Sequence, residues 1–306
     1  MGDLTAFPKI FHIGERWIKD IFDGPVEITE KVDGSQFVFG MVDGELKMRS
    51  KGKAQYAGAV DKMFLEAHEY VSGRSVRRWL VDGYTYYCEY LRQPKHNVLT
   101  YNSTPKNYLY LFGVETPADG FIHDRQTVLE YADRLDISPA NVLHYGESSP
   151  EHLREFLDLE SFLGGPKVEG VVVKNYNKSF MLGDRVFPIM SGKFVSEAFK
   201  EKHQKNWTGE NTSGGKWGAF CDGYRSEARW QKAVQHLREE GRLDDSPKDI
   251  GALIKEVNRD IEEEEVENIK DFLYAHFGRD LKRKATAGLP EWYKSQISGV
   301  PLVPST

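Results

Sequence analysis

The sequence predicts an α+β fold: a domain built around antiparallel sheet, followed by a small all-helical C-terminal domain. Three observations carry this. Up to about Lys200, short β-rich runs bounded by turn signals recur at 26–29, 36–41, 45–49, 85–91, 108–114 and 171–175. Two helical patterns, at 59–70 and 125–135, with a smaller one at 150–157, interrupt those runs. Beyond a glycine-rich stretch, no clear strand pattern returns.

Asp43-Gly44 lies between apolar runs and is a two-residue hairpin signal. The polar segment 208–215 suits a linker or mobile loop. These features divide the chain into a first domain over 1–205, a linker or loop over 206–219 and a helical domain over 220–306. In the last part, 222–240 reads as an Arg/Glu-laced helix, with Gly241 in the place of a C-terminal glycine. Ser246-Pro247 opens a second helix with the apolar stripe Ile250, Leu253, Ile254 and Val257. Phe272, Leu273, Ala275 and Phe277 predict a third helix, ending at Gly278. The acidic run 262–265 reads as a solvated helix start. Lys282-Arg283-Lys284 is either a phosphate-backbone contact or a solvated helix end.

The composition bounds the function. With 306 residues, 40% of them hydrophobic and 12% aromatic, the chain can fill one large domain or two ordinary ones. A net charge of −6 argues against a non-specific nucleic-acid coat protein, although an enzyme can concentrate basic residues locally. The two cysteines, Cys88 and Cys221, have neither disulfide-framework nor zinc-site spacing, which points to a reducing compartment. The first ten residues lack a signal pattern, and no apolar run spans a membrane. The expectation is a cytoplasmic, monomeric protein with no membrane partner.

The most informative segment is Glu30-Lys31-Val32-Asp33-Gly34-Ser35, into which an apolar strand runs directly. An amine is thereby placed beside a tight turn whose glycine permits close backbone approach. Alone, Lys-x-Asp-Gly is equally well a hairpin turn with a solvated lysine. Further segments follow in order: 47–53 with Arg49, 86–91 with Glu89 in an apolar strand, and 109–115 with Phe112. Pro166-Lys167-Val168-Glu169-Gly170 then leads through an apolar run to Lys174, and Ser191-Gly192-Lys193-Phe194 supplies a late lysine.

In this order and spacing the set resembles the covalent nucleotidyltransferase superfamily of DNA ligases, RNA ligases and mRNA capping enzymes, over about 26–202. Within it, the chain is most similar to ATP-dependent RNA ligases of the RNA ligase 2 branch, which includes RNA-editing ligases. The resemblance implies that 1–205 is an antiparallel-sheet, ATP-grasp-like adenylyltransferase domain. Lys31 is then the nucleophile that carries AMP, and Glu30 sits where the family reads the adenine amino group. Gln36 occupies a position that is usually Asn in this branch, and Asp33 one that is usually His. Arg49 resembles the arginine that contacts ribose and phosphate. Glu89 resembles the glutamate that serves the ribose hydroxyl or a hydrated metal, and Phe112 the aromatic that stacks on the base. Glu169 and Lys174 match the Glu-Gly-x-x-x-Lys motif, and Lys193 the lysine that contacts the α-phosphate. Ser191 stands where the branch has another lysine.

The implied cofactors are ATP and Mg²⁺ or Mn²⁺, with Asp33, Glu89 and Glu169 as metal candidates. The implied partner is RNA with 3′-hydroxyl and 5′-phosphate ends, nicked duplex included. Because a free lysine is protonated at pH 7, the expectation is that Lys174, Lys193 and the metal depress the pKa of Lys31. Competing readings are a DNA ligase, a GTP-dependent capping guanylyltransferase, and a non-catalytic nucleotide- or RNA-binding relative. Bland roles also stand: Glu89 paired with Arg92, Phe112 as core, Arg49 and Lys193 as surface charges. His96, His123 and His144 read as structural. Trp207 and Trp217 either stack on bases or anchor the linker.

Overall fold

The computed structural model describes residues 3–56, 58–96, 99–182, 185–195 and 215–298. In chain order the first part forms β1 (Phe11–His12), β2 (Val26–Lys31), β3 (Ser35–Val42), β4 (Glu45–Ser50) and β5 (Ala54–Gln55). Helices α1 (Leu65–Ser72) and α2 (Arg74–Arg77) precede β6 (Thr85–Tyr90), β7 (Leu109–Thr116) and β8 (Gly120–Phe121). Then come α3 (Arg125–Arg134), β9 (Ser138–Pro139), β10 (Val142–Gly146), α4 (Leu153–Phe156) and β11 (Gly170–Asn175). The hairpin β12 (Phe180–Leu182) and β13 (Arg185–Phe187) leads to β14 (Met190–Val195).

The strands form two principal sheets. Sheet one has the order β1-β14-β11-β2-β10, antiparallel except for the β1–β14 pair. Sheet two has the order β5-β4-β3-β6-β7-β8, with β9 pairing in parallel beside β7. The turn at 32–34 carries the chain from β2 of one sheet into β3 of the other.

Alternation along the strands gives each sheet two unlike faces. On sheet one, Phe11, Val26, Ile28, Val171, Val173 and Met190 close one core with Leu153 and Phe156 of α4. The residues between them, Glu27, Thr29 and Lys31 of β2, Lys174 of β11 and Ser191 and Lys193 of β14, fall on the opposite, polar face. On sheet two, Phe37, Phe39, Tyr86, Cys88 and Tyr90 pack against Ala67, Val71 and Val76 of α1 and α2 and Val128 and Ala132 of α3. Its other face carries Val38 and Tyr87, which cluster with Leu4, Phe7, Phe121 and Ile189.

The six expected strands form, each displaced by at most two residues at its ends. β1, β5, β8, β9, β10, β12, β13 and β14 escape the sequence reading, because most are very short and β10 and β14 mix small and polar residues into the pattern. The helix expected at 59–70 starts only at a 3₁₀ turn over Lys62–Phe64. Gln55 accounts for the delay: its side chain donates to Asp61 Oδ2 at 2.7 Å and accepts from the Asp61 N–H at 2.8 Å, tying Asp61 back to β5 ahead of the helix.

The chain divides into two compact units, Met1–Ala219 with Arg238–Arg242, and Phe220–Leu237 with Leu243–Thr306. Of the stretch read as a linker, 206–214 lies outside the described residues, and α5 (Gly215–Gly223) already begins within the remainder. Then follow α6 (Glu227–Glu239), α7 (Ile250–Glu264), α8 (Val266–Ala285) and α9 (Leu289–Ser298). Gly241 takes φ 65° just past α6, and Ser246 and Asp249 form a reciprocal capping box ahead of α7. The run 262–265 ends α7 and leads straight into α8, with Glu265 at its N-cap position, whereas Gly278 lies inside α8 instead of ending a helix. The Tyr274 ring packs over Gly278, where a Cβ would already meet it at 3.4 Å.

In the second unit, charge pairing binds the helices. Arg229 of α6 is 1% exposed and donates to Asp260 of α7 and to Glu265, the latter at 3.0 Å. Lys232 also pairs with Asp260, and Glu256 of α7 holds Arg259 and His236. Removing one partner from a buried ion pair strands the other charge. Arg229→Ala is therefore expected to lower stability by about 3 kcal/mol, read as an earlier urea midpoint by circular dichroism; an unchanged midpoint would contradict the pairing.

Candidate active site

Lys31 ends β2 on the polar face of sheet one, opposite Gly170 of β11. Glu169, just before that strand, meets it. The Lys31 ammonium donates to both Glu169 oxygens, at 2.6 and 2.7 Å, with the side chains 29% and 13% exposed. The amine thus lies in a cleft that solvent still reaches.

The turn after Lys31 is pinned from outside. The Asp33 N–H donates to the Tyr101 hydroxyl at 2.9 Å, and Asp33 Oδ2 accepts from the Leu99 N–H at 2.9 Å. At Gly34, a Cβ would lie 2.6 Å from Glu89 Cγ, 2.7 Å from Leu91 Cδ1 and 2.8 Å from the Tyr90 carbonyl. Glycine is required there by the close approach of β6, which brings Glu89 toward Lys31. Ser35 Oγ lies 3.2 Å from His96 Nε2; burial pushes the His96 pKa down to about 4, leaving the ring neutral at pH 7.

Three carboxylates and one ammonium crowd this turn, and every resolved group in the cluster moves toward its protonated form. Burial pushes the Glu89 pKa up to about 8; Lys31 and Lys51 oppose the shift, and Glu169 and Asp33 add to it. Burial also raises the Glu169 pKa, despite the ammonium in contact with it. For Lys31, burial favours the neutral amine, but Glu169, Asp33 and Glu89 outweigh it and raise the pKa. In the chain without metal or nucleotide, the neighbouring acids thus hold Lys31 toward its ammonium form. Lys174 stands opposite Glu27, four residues back along β2 from Lys31, which is roughly 13 Å of strand.

Lys174 is 1% exposed and donates to the Phe112 carbonyl at 2.6 Å and to Glu27 Oε1 at 3.1 Å. Tyr176 donates to the same Glu27 oxygen at 3.0 Å. Lys193, half-buried on β14, lies two residues nearer the Lys31 end of the face and acts electrostatically on Glu169. Ser191, opposite Lys174, is buried, and among the described residues its hydroxyl has no hydrogen-bond partner.

From sheet two, Gln36 faces Glu89 across β3 and β6 and accepts from the Phe7 N–H at 3.3 Å. Phe112 is half-buried, with Phe7 edge-on at 5.1 Å and the Lys174 ammonium 5.9 Å from its ring centre. Arg49 donates to the carbonyls of Leu4 (2.6 Å), Ser50 (3.1 Å) and Lys51 (3.2 Å). Arg92 pairs with Glu66 and not with Glu89.

Glu30 points the other way. Its carboxylate accepts from Ser161 Oγ at 2.5 Å, Asn141 Nδ2 at 3.0 Å and the Phe162 N–H at 3.1 Å, and its carbonyl accepts from the Tyr110 hydroxyl at 3.0 Å. The structure therefore gathers Lys31, Asp33, Glu89, Glu169 and Lys193, sets Gln36, Phe112, Arg49 and Lys174 farther along the cleft, and turns the Glu30 side chain into a structural pin. Glu27, Lys51, Tyr101 and Tyr176 went unnoticed in the sequence. Only Glu27 carried a signal, sharing the face of Lys31 by strand alternation.

The carboxylates suit a hard divalent cation by donor type, and their crowding would be relieved by one. Among the described residues, however, no three His, Cys, Asp or Glu side chains are spaced to enclose a bare ion. Asp33, Glu89 and Glu169 are thus candidates to hold a hydrated ion through bridging water.

Two facing sheets with a lysine at a strand end and carboxylates around it define the nucleotidyltransferase class. Residues 24–189, more than half of the chain, match the sequence model of the family described as RNA ligase, and the chain belongs to that family. No curated protein matches it by sequence. Among solved structures, a Naegleria gruberi RNA ligase with pyrophosphate is similar, at 16% identity over 67% of this chain and 60% of that one, with a TM-score of 0.49. A variant of that ligase with AMP and Mn gives 15% identity over the same shares, also at 0.49. The chain thus spans 60% of the length of those ligases. Among the described residues, no helix is long and apolar enough to cross a membrane.

The raised Glu89 pKa is directly measurable. Between the ordinary glutamate value near 4.3 and about 8, the folded chain holds a proton that the unfolded chain has lost, so this group's contribution to stability falls as pH rises through that window. A carboxyl NMR titration of the metal-free protein should place the Glu89 midpoint near 8, and Glu89→Gln should flatten that part of the stability profile; a midpoint near 4 would refute the crowding.

Proposed function

We propose that the chain is an ATP-dependent RNA ligase that joins 3′-hydroxyl and 5′-phosphate RNA ends through lysyl-AMP and RNA-adenylate intermediates. The observation that carries this is the Lys31–Glu169 contact, at 2.6 and 2.7 Å, inside a cleft lined by Glu89 and Asp33. Membership of the RNA ligase family supports the choice of RNA.

In the first step Lys31 Nζ attacks the α-phosphorus of ATP. The N–P bond forms and the P–O bond to pyrophosphate breaks; the nitrogen gives up two protons in all, the first as the ammonium becomes the attacking amine. Glu169 is in contact with that proton, and its raised pKa suits it to accept one. Lys193 lies where it can bear on phosphate charge, and Phe112 offers a ring face to the base. A divalent cation held by Glu89 and Glu169 would supply further charge neutralisation on the phosphates. AMP then passes to the 5′-phosphate of RNA, forming a new pyrophosphate linkage and freeing Lys31. The 3′-hydroxyl finally displaces AMP and closes the phosphodiester, most readily where a nicked duplex aligns the ends.

Two outcomes are expected. Incubation with labelled ATP and Mg²⁺ or Mn²⁺ should give a labelled protein band that Lys31→Ala abolishes; labelling by GTP alone would overturn the ligase reading. Gly34→Ala should slow self-adenylylation by about 100-fold, because displacing β6 misplaces Glu89. A rate within a fewfold of the wild type would show that the glycine contact is not needed for the chemistry.

A further inference from the structure

A second feature lies away from the cleft. Val76 of α2 is 2% exposed and buried in the core shared with Cys88 and Tyr90. That anchor turns the rest of the turn outward: Arg74, Ser75, Arg77 and Arg78 are all exposed and border a shallow, open depression of the surface. Arg77 and Arg78 stand three and four residues after Arg74, so the three guanidiniums share one side of the turn. Among the described residues none of the three enters an ion pair. Arg78 lies over the Trp79 ring at 5.2 Å, with Arg134 at 6.0 Å, and Trp79 is itself 41% exposed.

Three unpaired arginines around a hollow repel one another, and nothing in a chain of net charge −6 makes such a cluster a by-product of overall basicity. An anion from outside the chain would supply the counter-charge. Guanidinium forks match phosphate oxygens in pairs, and an indole beside them offers a stacking face, a combination suited to a nucleic-acid backbone. The position excludes the reacting ends: α2 packs on the helical side of sheet two, whereas Glu89 and Gln36 project from the other side.

We propose that Arg74, Arg77 and Arg78, flanked by Trp79, form a second RNA-backbone contact on the far side of sheet two, gripping the substrate away from its reactive ends. This rests on the reading of RNA as the substrate.

The test uses the full chain and a fluorescein-labelled nicked RNA duplex. Anisotropy titrations between 50 and 200 mM salt compare the wild type with the triple variant Arg74→Gln, Arg77→Gln, Arg78→Gln. The variant should bind roughly tenfold more weakly, with a slope of log affinity against log salt smaller by about 2, while forming lysyl-AMP at the wild-type rate. Unchanged affinity and slope would overturn the proposal. Phenylglyoxal modification of the wild type, read by mass spectrometry, needs no variant: bound RNA should protect these three arginines, and equal modification with and without RNA would overturn the proposal even if the variant failed to fold. Absence of lysyl-AMP in the wild type would sink the ligase reading alone, since protection by RNA is measured without ATP.

Discussion

The ion pair between Lys31 and Glu169 is the contact on which the rest of the site depends. It joins the end of β2 to the start of β11, neighbouring strands of one sheet, so the proposed nucleophile and the carboxylate proposed to take its proton are held by main-chain register. Around it lie the carboxyl groups of Asp33 and Glu89 and the amines of Lys51 and Lys193. Glu89, Glu169 and Lys31 are all displaced toward protonation, the two acids chiefly by burial and the lysine by the acids. In the ligand-free state the amine is kept as ammonium. A cleft poised in this way favours the arrival of cations beside the carboxylates, and such cations would weaken the hold on the Lys31 proton.

Register and alternation do the assembling. Glu27, Thr29 and Lys31 of β2 share a face with Lys174 of β11 and with Ser191 and Lys193 of β14, because the apolar residues between them are claimed by a core. Two glycines let the backbone close up. Gly34 admits β6, and Gly170 lies where a Cβ would meet the Phe194 carbonyl at 2.5 Å. Substitutions at either position would act on the chemistry through geometry, with no charge altered.

Several side chains expected to meet the nucleotide are already engaged by protein. Arg49 holds three carbonyls, Lys174 is paired with Glu27, and the Glu30 carboxylate has three donors. Such contacts fix rotamers, so for Arg49 and Lys174 they pre-shape the cleft at the cost of bonds that a ligand must replace. Glu30 differs, because its three donors come from the side of β2 away from Lys31. Ser191, where the resembling ligases carry lysine, leaves a buried hydroxyl beside Lys174 and avoids a second ammonium next to one that has a single carboxylate partner.

The sequence alone determined six of the seven described strands of six residues or more, the Asp43-Gly44 hairpin, the cap and glycine signals around Ser246 and Gly241, and the order of the lysine, glutamate and aromatic motifs. All of these are local: they depend on alternation, turn chemistry or residue identity within a few positions. The tertiary structure decided what those residues face. It directed Glu30 away from the cleft, matched Lys174 with Glu27, kept Lys31 charged and placed the acidic run 262–265 at a helix end, because each outcome is set by partners distant in sequence. Strand alternation tells which residues share a face, but only packing tells which charges meet across it, and a pKa depends on the second.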